Sequence, residues 1–163
     1  MGKVLSRYTN GWAGAVSRQK DDVIVALKNV GQTAIKPGDP VFLYNGVSPA
    51  GVRGFISGTT TENEFAGFAV RVPDKTPETW GLDESEWKSG DVVDVLVRGS
   101  TVVYCGTSSA KPGNPIYIRK NDSVIVTNPG SEGTTIPVPD TYIRTPRDGN
   151  YNAEIVISER HML

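Results

Sequence analysis

Apolar and polar residues alternate in short runs along this chain. Val23, Val25 and Leu27 share one face. Val93, Val95 and Val97 share another, with Asp94 and Arg98 opposite, and Ile155 and Ile157 oppose Glu154 and Ser158. Period two with one polar face is the pattern of antiparallel strands that put one side in a core and the other in water. The runs read as strands are DVIVALK (22–28), PVFLY (40–44), GVRGFIS (51–57), EFAGFAVRV (64–72), DVVDVLVRG (91–99), TVVYCG (101–106), PIYIR (115–119), SVIVT (123–127), TYIRT (141–145) and AEIVIS (153–158). No long segment repeats apolar residues at the helical spacing. The best helical candidate is the short LDESEW, Leu82 to Trp87, with acidic residues at its start where the helix dipole favours them. About ten short strands predict an all-β body, a jelly-roll-like sandwich or a small β-barrel.

A six-residue phrase recurs three times, as KPGDPV (36–41), KSGDVV (88–93) and KPGNPI (111–116), each time directly before a strand. Pro suits the second position of a turn and Gly after it accepts φ > 0, which makes a type II turn. Asp or Asn then bonds local backbone as the chain straightens, and Lys keeps the turn in water. Pro40 and Pro115 stand at the first strand position, where a missing N–H matters least. The phrase reads as a device for starting strands. Its uneven spacing does not indicate a solenoid.

The 163 residues fit one domain, with 1–20 as an extended N-terminal arm and 21–163 as a single β domain. Eighteen Gly and eleven Pro, spread along the chain, suit many short strands joined by turns. Charge is balanced, 17 basic against 18 acidic residues, so bulk electrostatics give no reason to seek nucleic acid or an anionic membrane. No stretch approaches a membrane span, and the first residues lack a secretory apolar core, so synthesis in the cytoplasm is expected. Met1-Gly2 with Ser6 matches a myristoylation pattern only superficially.

Candidate chemistry is thin. The one cysteine, Cys105, lies on a strand-like run and reads as a small buried residue. A nucleophilic role would need a base, and the one histidine, His161, stands three residues from the C-terminus. Asp21-Asp22, Asp83-Glu84-Glu86 and Asp91/Asp94 lack metal-loop spacing and read as turns and caps. GTSSAKPGN (106–114) lacks the ending of a phosphate loop, and GSEGTT (130–135) lacks the spacing of a serine elbow. No catalytic residue, metal or cofactor is expected. Arg7, Arg18 and Lys20 interleave with Tyr8 and Trp12, a weak single-strand-binding pattern better explained by an arm lying on another protein. Trp12, Trp80 and Trp87 fall outside the clear strands, where large aromatics serve either satellite cores or interfaces.

KSGDVVDVLVRGSTVVYC (88–105) and KPGNPIYIRKNDSVIV (111–126) together resemble the bacteriophage capsid cement, or decoration, proteins. IKPGDPVFL (35–43), FAGFAVR (65–71) and TYIRTPRDGNYNAEIVI (141–157) extend the resemblance over roughly residues 35 to 158. DKTPETWGLDESEWKSG (74–90) and PGSEGTTIPVPD (129–140) depart from it. The resemblance implies a non-enzymatic virion protein on the outer surface of an assembled phage head, bridging neighbouring subunits of the major capsid protein. Neighbouring copies of itself, as dimer or trimer, are the other expected partner, with no nucleic acid and no membrane. Tyr8, Trp12, Arg18, Tyr44, Trp80 and Trp87 are the candidate interface residues. Two rivals remain: a sugar- or receptor-binding β-module of a phage tail or fibre, using aromatic stacking, and a hydrolase with an unrecognised site.

Overall fold

The computed structural model describes residues 13–44, 53–58, 64–71 and 86–159, the stretch 17–21 by its backbone alone. The described residues form nine strands and no helix: β1 (Val16–Asn29), β2 (Pro40–Leu43), β3 (Gly54–Ser57), β4 (Glu64–Ala69), β5 (Val92–Tyr104), β6 (Pro115–Arg119), β7 (Ile125–Val126), β8 (Thr135–Thr145) and β9 (Asn152–Ile157). The all-β expectation is borne out, and of the two architectures it left open the structure has the small closed barrel. The short helix proposed at 82–87 falls mostly outside the described residues. Its last residue, Trp87, lies in an antiparallel bridge with Ile35.

The hydrogen-bonded order is β1-β3-β2-β4-β5, and β1 also pairs with β5, so five strands close a ring. From β5 the sheet continues through β9, β8 and β6 to β7. A parallel bridge between Cys105 and Ile125 returns β7 to the end of β5 and closes a second ring. Strand β5 runs through both. Its first half pairs with β1, from Lys28 opposite Val92 to Val23 opposite Arg98, and its second half pairs with β9, from Gly99 opposite Ile157 to Tyr104 opposite Asn152. Two runs read as separate strands are therefore one, passing through Gly99 at φ 120°. A Cβ there would meet Asp22 Oδ1 at 1.9 Å, so the glycine lets β1 approach.

The second ring repeats the first strand for strand. Leu43 faces Phe55 as Ile118 faces Ile125. Pro40 faces Phe68 as Pro115 faces Tyr142, each pairing followed by a register shift. Phe68 and Ala69 face Leu96 and Val95 as Tyr142 and Ile143 face Val156 and Ile155. The parallel contact of Asn29 with Phe55 corresponds to that of Cys105 with Ile125. The cores match too. Val41, Leu43, Phe55, Ala69, Val93, Val95 and Val97 fill the first barrel. Their counterparts Ile116, Ile118, Ile125, Ile143, Ala153, Ile155 and Ile157 fill the second, joined by Phe42 and Phe68 from the first.

The recurrent phrase punctuates this repeat. In each copy the Lys N–H donates to the Asx side chain: Lys36 to Asp39 Oδ2 at 2.8 Å, Lys88 to Asp91 Oδ2 at 2.9 Å, Lys111 to Asn114 Oδ1 at 2.8 Å. The glycines have φ 84°, 89° and 84°, as a type II turn requires. Each turn then clamps one residue of a neighbouring strand with two backbone bonds. Gly38 N–H donates to Ala69 O and Ala69 N–H to Asp39 O; Gly113 and Asn114 hold Ile143, and Gly90 and Asp91 hold Asn29, in the same way.

Of the segment 1–20 expected as an arm, residues 13–20 are described and they are attached to the body. Val16 and Arg18 pair with Thr101 and Ser100. Gly14 N–H donates to Val102 O at 2.7 Å, and Thr101 Oγ1 donates to Ala15 O at 3.0 Å. The departing stretch 129–140 supplies the start of β8. Pro137 and Pro139 stand there before the pairing with β9 begins at Thr141, so no ladder bond on that side needs their missing N–H.

Candidate functional site

Of the residues expected at an interface, Tyr44 and Trp87 are the two whose side chains the structure describes. Tyr8, Trp12 and Trp80 lie outside the described residues, and Arg18 is placed by its backbone alone. Tyr44 is half-buried just past β2, its N–H donating to Gly54 O at 3.0 Å. Trp87 is 2% exposed and sits in the core of the first barrel, so its side chain serves the domain itself. Bonds of Ile35 N–H to Trp87 O and of Trp87 N–H to Ile35 O hold it there.

Among the described residues the large exposed aromatics are Tyr104 and Tyr142, which alternation places on outward strand faces, and Tyr151, in the turn before β9. Tyr104 has the parity of Asp94 and Arg98 along β5, and that parity was the available signal. Tyr104 and Tyr151 stack, with centroids 5.7 Å apart and planes 23° apart. The Arg147 guanidinium lies 4.5 Å from the Tyr151 ring centroid, a cation–π contact. The turn that carries Tyr151 is held by Asp148, whose Oδ1 accepts from Asn150 N–H at 2.8 Å and Asn152 N–H at 3.0 Å. Tyr151 itself has φ 65°, a left-handed conformation rare for a bulky residue. Its carbonyl accepts from Cys105 N–H at 2.7 Å, which ties the turn to the end of β5. The cluster is therefore a fixed, half-exposed aromatic and cationic knob at one end of the second barrel. Nearby along the chain, the exposed Arg119 donates from Nε to Asp122 Oδ1 at 2.9 Å. That bond holds the Asp122 carboxyl below its ordinary range.

Of the other candidate groups, three have a structural part. Asp22 Oδ1 accepts from Ser100 N–H at 3.3 Å, and Asp91 caps its own turn. Cys105 is fully buried, and burial pushes its thiol up, away from the reactive thiolate. Among the described residues no three His, Cys, Asp or Glu side chains group as metal ligands would, and no helix is long and apolar enough to cross a membrane.

Against known proteins, the model of the XM1 gp53 minor capsid protein family matches residues 1–157. The chain belongs to that family. A chain from a solved structure, "The capsid of Myoviridae Phage XM1", superposes with a TM-score of 0.69, covering 98% of this chain and 97% of that one at 16% identity. At that identity the likeness shows a shared fold. No curated protein matches. Membership makes this a minor capsid protein of the phage type.

Proposed function

We propose that the protein is a capsid cement protein. It binds the outer surface of the assembled phage head, bridges neighbouring major capsid protein subunits, contacts neighbouring copies of itself and performs no catalysis. The observation that carries this reading is the family match across residues 1–157. The Tyr104–Tyr151–Arg147 knob is the contact it favours: tyrosine and arginine are enriched at interface hot spots, and this group is already ordered before binding. Residues 1–12, ahead of the attached segment, are the part of the expected arm left to reach a partner. A site made by two neighbouring subunits offers its full surface only once they are locked together, so the shell is bound far better than its free subunits. Contacts of a few kcal/mol, repeated over the shell, then resist separation of the subunits.

Co-sedimentation tests this with expanded heads, compact precursor shells and unassembled capsid protein. Strong binding to expanded heads, falling modestly with salt, is expected. Replacing Tyr104 and Tyr151 together by Ala should cost about 2 kcal/mol, roughly 30-fold in affinity. Equal binding to all three preparations would reject the cement role. Binding to glycans with none to heads would favour the sugar-binding module instead.

A further inference from the structure

A strand at the edge of a sheet offers a row of unpaired N–H and C=O groups to any other strand that meets it. The two rings close much of the sheet on itself, but the first half of β8 keeps an edge. Thr135, Ile136 and Pro137 pair with β6, while pairing with β9 on the other side begins only at Thr141. Among the described residues no strand pairs with that other side before Asp140. Lys120 N–H donates to Thr134 O, and Ile118 pairs with Ile136, so Thr134 and Ile136 turn their backbone groups toward β6. The alternate residues Thr135, Pro137 and Pro139 turn theirs to the open side. At two of these three positions proline removes the donor. Acceptors at the end of the stretch are already occupied. Pro139 O accepts from Thr141 Oγ1 at 2.9 Å, and Asp140 O accepts from Ser158 N–H at 2.8 Å and from Ser158 Oγ at 3.0 Å. Asp140 is exposed and has φ 50°, so a bend and a charge stand there as well.

The first barrel supplies the contrast. Phe65 faces Phe42 as Pro137 faces Tyr117, each pairing beside a register shift. Phe65 packs against the core of the second barrel and makes edge-on contacts with Phe42 and Phe68, at centroid distances of 6.0 and 5.2 Å. Strand β4, covered in this way, contains no proline. Both prolines of β8 are exposed. We propose that Pro137 and Pro139 guard this edge: they stop a second copy of the chain from adding its own β8 there, strand to strand. Two copies meeting edge to edge about a two-fold axis would each need donors on the open side, and of the three outward positions only Thr135 has one. An all-β chain at high concentration is exposed to this kind of pairing, and paired edges lead to aggregation. The guard acts in the free chain and does not depend on the cement reading. It restricts that reading in one respect: copies that touch on a shell do so through side chains and not through a sheet shared at this edge.

The test restores the donors without adding apolar surface. Pro137→Thr/Pro139→Thr in the full chain gives the edge two further N–H groups. In sedimentation velocity its larger species should appear at concentrations roughly tenfold or more below any at which the parent associates, as added ladder bonds would produce. Pro137→Lys/Pro139→Lys restores the same donors but sets like charges along the pair, so it should stay as dispersed as the parent. Circular dichroism melts check that both variants fold. Both lack the prolines, so comparing them isolates the edge even where the melts fall below that of the parent. A Thr variant that associates no more than the parent would overturn the proposal. So would a Lys variant that associates as readily as the Thr variant, because loss of the prolines would then act through misfolding and not through the edge. Neither result bears on head binding, which tests the cement reading separately.

Discussion

The two barrels share a topology and a turn phrase but differ in what covers them. The first has its outer Phe42 and Phe68 sealed by the second barrel, its end filled by Trp87, and its turn at Lys36–Asp39 covered by Ala13 and Gly14. The second has Tyr117 and Tyr142 on the matching face, Tyr104 and Tyr151 exposed at its end, and nothing within 4 Å of a Cβ at Gly113 in its matching turn. One architecture thus supports a structural half and a presenting half. Side chains that stabilise the first barrel have counterparts in the second that face outward. The difference shows that one repeated scaffold carries two kinds of surface, set by substitutions at matching positions.

Truncating equivalent aromatics gives the largest contrast. Phe68→Ala empties a fully buried site between the barrels and should cost about 3–5 kcal/mol in a urea titration. Tyr142→Ala, its counterpart, removes a partly exposed ring from the isolated chain and should cost under about 1 kcal/mol. Similar costs for the two would mean that the barrels are equally covered, and the division into structural and presenting halves would fail.

Equivalent turns come next. Gly38→Ala and Gly113→Ala both place a Cβ at φ 84°, a strain of about 1–2 kcal/mol. At Gly38 that atom would also lie 2.9 Å from Ala13 Cβ and 3.0 Å from Gly14 N, which adds about 1–3 kcal/mol of overpacking. Thermal unfolding of both variants measures the gap. Equal losses would show that residues 13 and 14 do not press on the first turn in solution.

Much of this was legible in the sequence, for physical reasons that differ by region. The inward positions of β1, β5 and β9 follow from alternation, since a core admits only apolar side chains at period two. The turn phrase was legible because only Gly takes φ > 0 freely and only a short Asx side chain reaches back to the Lys N–H. The continuity of β5 was hidden, because Gly99 breaks the run locally while its two halves find different partners, β1 and β9. The duplication was hidden by unequal loops: 44–53 separate the second and third strands of the first barrel, where 120–124 suffice in the second. The role of Trp87 could not be decided from its sequence neighbours, because what buries it is a bridge to Ile35, far away in the chain. Tyr104 escaped notice because an outward Tyr after valines reads as one more strand residue.

The smallest expected effect concerns the two Asx residues that cap equivalent turns. Asp39 and Asn114 accept the same bond from the Lys N–H, at 2.8 Å in each case, but Asp39 carries a charge. Burial pushes its carboxyl up, against the opposing pull of the Lys36 N–H bond and the Lys36 charge. A carboxyl raised above its unfolded value binds its proton more tightly in the folded state. Between the two values the folded protein holds more protons, so stability falls as pH rises through that window. At neutral pH the ionised Asp39 is therefore a standing cost that Asn114 does not incur. Asp39→Asn keeps an acceptor for the Lys36 N–H and removes the desolvated charge. Its melting temperature should exceed that of the parent modestly at pH 7, and the two should converge as pH falls toward roughly 4, near the ordinary range of an aspartate. Melts of both proteins across that range decide the matter. A parent that gains on the variant as pH rises would show that the Lys36 contacts outweigh burial at this turn, and that the charge stabilises the first barrel.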